Sequence, residues 1–493
     1  MTRWTSICLC LFLTLGDAFC GTLVGHVRDR NWYARYSTNP PGVGYYEYGV
    51  NANAANSSAL GGRAATDVYG AFQMPNLPVG AYTVASWDVW WRSAFSFGVA
   101  VPESGNSEDA DLRLSATMWG YPAFWDSTSY QEFGQTFVAT GPVTMLYLRN
   151  PLVTGSPTLT LTIHNGGPTG TQIGVSRTLP KDLDIRVIYS YGEMPTVKGQ
   201  TYYMKIRSSG GGAVLSQMDP RPDFSDPMPG GWLYLGNGST VTPYPDRDLG
   251  IVIMSDDDGL ITDLHTRQSG THVDGSSVGQ TFVARGVNLI SAAFWLADPT
   301  DPLYVVRVYQ NGPGGAAVGS PKRGRPARPG ADPEMLVTWP PGECPLTPGQ
   351  NYYVEVTRDG GGVFTVANVN RTDPFPYGQA YVNGSPLGGA DLAGTLMEEE
   401  SAGSAARPTV QFVSEPTIGE SARGSNQVTI AWTTDVPSDS EVAYVADYPP
   451  YVFTNYVPAL VNIHSMALSN LQSHTLYHFQ VRSTAANYKD ALS

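Results

Sequence analysis

Basic residues are scarce in this chain, and so is charge of either sign. Only 15% of its 493 residues are charged, and acidic residues outnumber basic ones by 43 to 29, for a net charge of −14. This balance excludes nucleic acid as the expected partner, because phosphates need a basic footprint, and it disfavours an anionic membrane surface. The acidity is explained either by solubility or by a calcium ion or carbohydrate partner.

Cysteine is nearly absent as well. Of four cysteines, two fall within the first ten residues, and only Cys20 and Cys344 lie beyond them. An exported chain without a disulfide framework must rely on large hydrophobic cores. No histidine lies near Cys344 in sequence, so an inert thiol is a better interpretation of Cys344 than a catalytic nucleophile.

Long apolar runs are missing except at the N-terminus. Arg3, the apolar run 7–15 and the small residues Gly16 and Ala18 predict a signal peptide over residues 1–20, with cleavage after Ala18 or Cys20. No other run approaches the ~20 residues that span a bilayer. The sequence therefore predicts a protein that is secreted or held at the extracellular cell surface, with no membrane span.

Glycine, proline and tyrosine are abundant, at 54, 38 and 28 residues. This composition is typical of many short strands joined by tight turns, and no useful stretch shows helical periodicity. A chain of this length holds roughly three to five domains. We therefore predict an all-β, multidomain chain of β-sandwiches.

A duplicated stretch divides the middle of the chain. GQTFVA at 134–139 returns at 279–284, and GQTYY at 199–203 returns as GQNYY at 349–353. Three shorter pairs occur in the same order in both copies: NGGP at 165 and NGPG at 311, DPMP at 226 and DPFP at 373, and DL at 248 and 391. Five collinear pairs predict a tandem repeat, with Phe137 and Phe282 in equivalent buried positions. Turn signals between some eight strands in each copy suggest jelly-roll-like sandwiches over 115–258 and 259–400.

Acidic clusters close both repeats, at 256–258 and at 398–400. Calcium prefers oxygen ligands, so structural calcium is one interpretation. The spacing matches no calcium loop, and solvated linker is the alternative. Residues 401–408 are rich in small side chains and predict a linker.

The first domain, residues 21–114, carries two linked motifs. TDVYGAF at 66–72 supplies a turn, and LPVGAY at 77–82 supplies the next one, with Phe72 and Leu77 directed to a core. This pattern resembles the carboxypeptidase regulatory-like domain, whose fold is related to starch-binding-like sandwiches. The resemblance covers about 90 residues and implies a non-catalytic β-sandwich.

The last domain, residues 409–493, carries a different signature. VTIAWTTD at 428–435 predicts a strand with Trp432 in a core, and the spacing of Leu471, Thr475 and Tyr477 suits a tyrosine corner. The domain resembles fibronectin type III, most closely the module that precedes the catalytic domain of purple acid phosphatases. We find no strand after residue 483 in the sequence, so the last strand is expected to be missing or supplied by another segment.

Catalytic motifs are lacking throughout. DLH at 263–265 is a lone metallophosphatase-like fragment, and the other ligand motifs of that class are absent. No Gly-x-Ser-x-Gly or P-loop pattern occurs. His474 and His478 straddle a turn and a strand, which suits a metal poorly. We predict no enzymatic activity, no catalytic residue, no metal ligand and no required cofactor.

Aromatic clusters are the remaining candidates for a site. Sugars stack their C–H faces on tryptophan, and the candidate ligand-binding residues are Trp87, Trp90, Trp91, Trp119 and Trp125. Packing between domains is the alternative role. The favoured function is an exported binding protein that binds carbohydrate, such as cell-surface glycans, or mediates cell-surface adhesion. The alternatives are an accessory region of a larger secreted hydrolase and a structural stalk.

Overall fold

The computed structural model of the chain is all-β, as expected, with no helix in the part of the chain that it describes. Across those residues nothing helical is long and apolar enough to cross a membrane. The described residues are 20–492 except 30–48, 60, 68–69, 88–92, 115–116, 120–123, 126–129, 140, 150–151, 154–157, 180–183, 190–191, 210–212, 215, 219–230, 238–239, 245–247, 250, 256–258, 267–270, 297–300, 327–333, 371–374, 376, 408–409, 411, 424–425, 447–452 and 486–490. The predicted signal peptide therefore lies almost wholly outside them.

The first domain is a sandwich of a three-stranded and a four-stranded sheet. Its strands are β1 (Cys20–Asp29), β2 (Gly49–Ala54), β3 (Gly62–Ala65), β4 (Ala71–Pro78), β5 (Gly80–Trp87), β6 (Ser93–Val101) and β7 (Ala110–Leu114). The sheet orders are β4-β1-β7 and β3-β2-β5-β6. Leu23, Val50 and Val84, all fully buried, lie in the core between them.

The turn before β4 is formed by the motif TDVYGAF at 66–72. Gly70 has a φ of +80°, a conformation that glycine adopts freely. The Ala71 N–H donates to Asp67 Oδ1 at 2.9 Å and closes the turn. Phe72 and Leu77 are then buried, which confirms their predicted core positions.

The first repeat contains fifteen strands in its described residues. They are β8 (Thr117–Trp119), β9 (Phe124–Trp125), β10 (Glu132–Val138), β11 (Val143–Arg149), β12 (Leu152–Val153), β13 (Thr158–Asn165), β14 (Gln172–Leu179), β15 (Asp184–Ile188), β16 (Thr201–Ser209), β17 (Ala213–Val214), β18 (Ser216–Met218), β19 (Leu233–Gly236), β20 (Val241–Tyr244), β21 (Asp248–Leu249) and β22 (Ile251–Ser255).

The second repeat contains thirteen strands in its described residues. They are β23 (Leu260–Thr266), β24 (Thr271–Gly275), β25 (Ser277–Val283), β26 (Asn288–Trp295), β27 (Tyr304–Gln310), β28 (Ala317–Gly324), β29 (Glu334–Thr338), β30 (Asn351–Arg358), β31 (Phe364–Asn370), β32 (Gln379–Val382), β33 (Ser385–Pro386), β34 (Asp391–Leu392) and β35 (Gly394–Glu399).

The two repeats share one topology. Each has a six-stranded sheet, in the order β14-β13-β16-β10-β19-β20 in the first and β28-β27-β30-β25-β32-β33 in the second. Each also has a four-stranded sheet, β15-β11-β22-β8 and β29-β26-β35-β23. The match strand for strand supports the tandem repeat read from the sequence. Most residues of strands such as β14 are exposed and show no alternation, so the sequence pattern does not indicate these strands.

The residues that are repeated in the sequence occupy equivalent positions in the two structures. Phe137 and Phe282 are both buried, as predicted, and each packs on the tyrosine opposite it, with ring centroids 6.0 Å and 5.9 Å apart. Three residues before each phenylalanine the chain has a glycine, Gly134 or Gly279. A larger residue would not fit there, because the rings of Tyr203 and Tyr353 occupy the space that a Cβ would need.

The two repeats share the spacing between Gln and Asp-Leu, and hydrogen bonds explain it. The side-chain oxygens of Gln135 and Gln280, both fully buried, accept the N–H groups of Leu249 and Leu392, each at 2.9 Å. In the second repeat Gln280 Nε2 also donates to Asp391 Oδ1 at 2.8 Å. A buried amide with these partners pins the short strands β21 and β34 against the large sheet.

The last domain consists of five strands in its described residues. Its strands are β36 (Phe412–Arg423), β37 (Val428–Ala446), β38 (Phe453–Leu468), β39 (Tyr477–Ser483) and β40 (Ala491–Leu492). The first half of β37 pairs with β36 and the end of β38, and its second half pairs with β39 and the start of β38. Trp432 is buried in the core, as predicted. The two-residue β40 pairs with β39, although no strand was expected after residue 483.

Tyrosine hydroxyls fix an upstream turn in all four sandwiches. Tyr202, Tyr352 and Tyr477 each accept, at 2.9 Å, the N–H of the residue five positions earlier. Tyr82 instead donates to the carbonyl of Pro78, also at 2.9 Å. These contacts are tyrosine corners, which hold a strand and the loop before it in one geometry.

Candidate binding cleft between the first domain and the second repeat

The structure separates the predicted tryptophans between two domains. Trp87 ends β5, where its backbone pairs with Gly49 and Ser93. Trp119 lies in β8 and Trp125 in β9, both within the first repeat. The side chains of these three lie outside the described residues. Trp90 and Trp91 lie wholly outside them, so sugar binding by all five stays a prediction.

The first domain packs against the second repeat, although the first repeat follows it in sequence. Phe95 packs with Ala293 and Leu336, and with Phe97 it packs on a cluster containing Leu260, Ile290, Met397 and Ala405. The sheet β3-β2-β5-β6 thus covers the outer face of the sheet that contains β26, β29 and β35. A shared apolar cluster of this kind holds two domains in one relative position.

Two buried asparagines of β2 make the polar part of this interface. Asn51 Nδ2 donates to the Leu336 carbonyl at 2.9 Å. Asn53 Nδ2 donates to the Arg323 carbonyl, and Asn53 Oδ1 accepts the Thr338 N–H, both at 3.0 Å. An amide side chain offers both donors and acceptors. The asparagine-rich run at 51–56 therefore pairs with two strands of another domain.

Lys322, the first residue of the basic run 322–328, is fully buried in this interface. Its Nζ lies 2.7 Å from Glu343 Oε1 and donates to the Ala54 carbonyl at 2.8 Å. The second carboxylate oxygen of Glu343 accepts the Asn56 N–H at 2.8 Å. Loss of water lowers the pKa of Lys322, and the carboxylate of Glu343 opposes that shift.

Arginines surround the outer end of the interface. Arg63 forms a two-pronged pair with Asp301, with both N–O distances at 2.7 Å. Arg325 Nη1 donates to the Asp301 carbonyl at 2.8 Å. Arg323 Nε lies 3.2 Å from Asp359 Oδ2. Forked guanidinium–carboxylate pairs of this kind fix the planes of the arginines.

These arginines and asparagines line an open cleft of about 160 Å³, which we call the interdomain cleft. Its lining residues are Asn51, Ala52, Asn53, Gly61, Gly62, Arg63, Arg323, Gly324, Arg325 and Leu336. The three arginines of the lining outnumber the two carboxylates that pair with them, those of Asp301 and Asp359. The cleft is therefore cationic, although the whole chain has a net charge of −14. Such a site can donate hydrogen bonds to carboxylate, sulfate or hydroxyl oxygens.

The cleft was not predicted from the sequence, although each of its two parts has a recognisable composition. The run from Lys322 to Arg328 is unusually basic, and 51–56 is rich in asparagine. Neither run indicates that the two segments are in contact. Asn53 and Arg323 form a hydrogen bond across the interface, but they are 270 residues apart in the sequence.

The acidic end of the second repeat is not a solvated linker. Glu398 and Glu399 are fully buried. Glu398 Oε2 accepts the Arg285 N–H at 2.9 Å, and Glu399 Oε1 accepts the Ala405 N–H at 3.2 Å. Ser404 and Ala405, in the expected linker 401–408, are buried as well. The carboxylates therefore hold backbone N–H groups at the end of the repeat.

The described residues contain no group of three or more metal-ligating side chains. The acidic run at 256–258 lies outside them. Cys344 is buried, and burial raises the pKa of its thiol, which keeps it protonated and unreactive.

No family model and no curated protein matches the chain. Among solved structures, the FN1–FN3 domains of chicken CNTN1 align at 11% identity and a TM-score of 0.14, covering 73% of this chain and 96% of that one. A tetra-tandem repeat from the extending region of a large adhesion protein aligns at 10% identity and a TM-score of 0.13, covering 96% and 97%. Both scores are too low for either likeness to bear on the fold or the function.

Proposed function

We propose that this protein is a non-catalytic, exported binding protein, secreted or at the cell surface, whose ligand is a carbohydrate. The observation that carries the proposal is the cationic interdomain cleft on an acidic protein. Oriented arginines that are held by carboxylates are a common device for binding a second anionic group, because little side-chain entropy is lost on binding.

The ligand class follows from the lining. Arg63 and Arg325 keep 33% and 35% of their side chains exposed, and both line the cleft. The cleft volume of about 160 Å³ is close to that of a protein cavity that holds one six-membered ring. It therefore suits a single sugar residue. Sugars that carry a carboxylate or sulfate fit the charge, so we propose acidic glycans rather than neutral ones.

A glycan array with the purified full chain tests this function. We expect acidic glycans to bind and neutral ones of the same size to bind much less, with affinity falling as salt is added. Arg63→Gln should weaken binding roughly tenfold, the effect of losing about 1.4 kcal/mol.

The matched control is Arg177→Gln. Arg177 pairs with Glu193 at 2.7 Å with a similar exposure of 32%, but it lies in the first repeat. If both variants bind like the wild type, or if the wild type retains no acidic glycan, the cleft is only an interface between domains. The stalk and the accessory region of a hydrolase would then be the better proposals.

A further inference from the structure

The interdomain cleft has two walls that come from different domains. Residues 51–53 and 61–63 of the first domain form one wall, and residues 323–325 with Leu336 of the second repeat form the other. In the sequence the whole first repeat lies between the two walls. The cleft therefore has its full lining only while the first domain is docked on the second repeat.

Docking also supplies hydrogen-bond partners to backbone amides in both domains. Strand β29 is the end strand of its sheet among the described residues, and Asn53 Oδ1 accepts the Thr338 N–H on that strand at 3.0 Å. In the opposite direction, Glu343 Oε2 accepts the Asn56 N–H at 2.8 Å. When the domains separate, both amides lose these partners and exchange hydrogen with water more readily.

The interface is built in a way that permits the domains to separate. Its apolar part consists of two small clusters around Phe95 and Phe97, and its polar part contains the buried pair of Lys322 and Glu343. The net gain from a buried pair is small, because removing both charges from water offsets much of their attraction. Interfaces between domains allow relative motion unless they are large and hydrophobic. Docking is therefore an equilibrium that a ligand can shift.

We propose that an acidic sugar in the interdomain cleft bridges the two walls and holds the first domain in its docked position. This inference rests on the proposed function, whose ligand is that sugar. Arg63 lies on the first wall, and Arg323 and Arg325 lie on the second, so one anionic sugar residue accepts hydrogen bonds from both domains. A ligand that binds only the docked state shifts the equilibrium toward that state, and docking raises the affinity for the ligand by the same factor.

A variant that weakens docking without changing the cleft lining tests this coupling. Phe97 packs on the second repeat and is not a lining residue, and Phe97→Asp places a charge in that apolar cluster. We expect the docked fraction to fall to about one tenth. The dissociation constant for glucuronic acid should then rise about tenfold, because the apparent affinity scales with the docked fraction. Equilibrium titration of the full chain measures this, with glucose 6-sulfate as a second anionic probe and glucose as the neutral one.

Hydrogen exchange of the Asn56 and Thr338 amides measures docking directly. Both amides should exchange faster in Phe97→Asp than in the wild type. Glucuronic acid at about ten times its dissociation constant should slow both amides about tenfold, in the variant and in the wild type, because it lowers the undocked population by that factor. Glucose should leave both rates unchanged.

The matched control is Val79→Asp, which adds the same charge to the first domain at a side chain 49% exposed, between β4 and β5. This variant should bind the sugar and exchange the two amides like the wild type. Phe97→Ser, which removes the ring without adding a charge, replaces Phe97→Asp if that variant fails to fold.

The outcomes separate this inference from the proposed function. If glucuronic acid binds but leaves the exchange of both amides unchanged, the coupling is wrong and the cleft is a glycan site that does not depend on docking. The same conclusion follows if Phe97→Asp exchanges faster yet binds the sugar as tightly as the wild type. A wild type that binds neither anionic sugar overturns the proposed function together with this inference.

Discussion

Individual buried side chains in this protein depend on close local partners, and His464 is the clearest example. It is 1% exposed and stacks on Trp432, with ring centroids 4.7 Å apart. Its Nδ1 lies 2.7 Å from Ser440 Oγ, and its Nε2 lies 2.8 Å from Thr434 Oγ1. Burial lowers the pKa of His464, and the Coulomb attraction of Asp439 opposes that shift only in part.

This lowered pKa predicts acid sensitivity of the last domain. In the unfolded chain His464 binds a proton below pH ~6.5, whereas the folded domain resists protonation. Stability should therefore be full above that pH and should fall as the pH drops below it. Urea unfolding at several pH values, followed by tryptophan fluorescence, measures the effect.

The matched variant is His464→Gln. It should be less stable overall, yet its loss of stability between pH 7 and pH 5 should be smaller than that of the wild type. Equal slopes for the two proteins would show that His464 does not govern the acid response.

The tryptophans near the end of β5 carry a second prediction at this scale. If Trp87, Trp90 or Trp91 stacks on sugar, alanine at the exposed members should abolish retention on immobilised polysaccharide with little change in melting temperature. The opposite pattern, a large fall in melting temperature with retention intact, would assign them to packing between domains.

At the scale of strands, the equivalence of β10 and β25 makes a quantitative prediction. Phe137→Ala and Phe282→Ala each remove a buried ring that packs on a tyrosine, and each should cost ~3–5 kcal/mol of unfolding free energy. Denaturant titration measures both. Val175→Ala, an exposed position on β14 of the same sandwich, should change stability by less than about 0.5 kcal/mol. Clearly unequal costs for the two phenylalanines would argue against equivalent cores.

At the scale of the whole molecule, the buried pair of Lys322 and Glu343 holds the first domain on the second repeat. Lys322→Met leaves the Glu343 carboxylate buried without its cation, which should cost ~3–5 kcal/mol. The double variant Lys322→Met with Glu343→Leu should recover part of that loss. Calorimetry should show the first domain melting separately in the single variant.

The control for this prediction is the pair of Arg177 and Glu193, whose side chains are 32% and 15% exposed. Breaking it should cost under ~1 kcal/mol, because water screens exposed ion pairs. If Lys322→Met costs no more than that, the domains are held by the apolar cluster around Phe95 and not by the ion pair.

The sequence alone determined the strand-rich class, the tandem repeat and the core positions of Phe72, Phe137 and Trp432. These follow from signals that are local or duplicated: alternation along a strand, turn residues, and the same letters in the same order. The alternation of apolar and polar residues along a strand involves only a few neighbouring positions. It can therefore be recognised without knowing where the strand lies in the fold.

Only the tertiary structure decided which side chains meet across domains. Lys322 and Glu398 are charged and look solvated in sequence, yet both are buried because partners lie in place for them. Asn53 contacts Thr338, 285 residues away, and no periodicity encodes that distance. The interdomain cleft likewise exists only after the sheets are assembled, because docking selects which polar groups are enclosed.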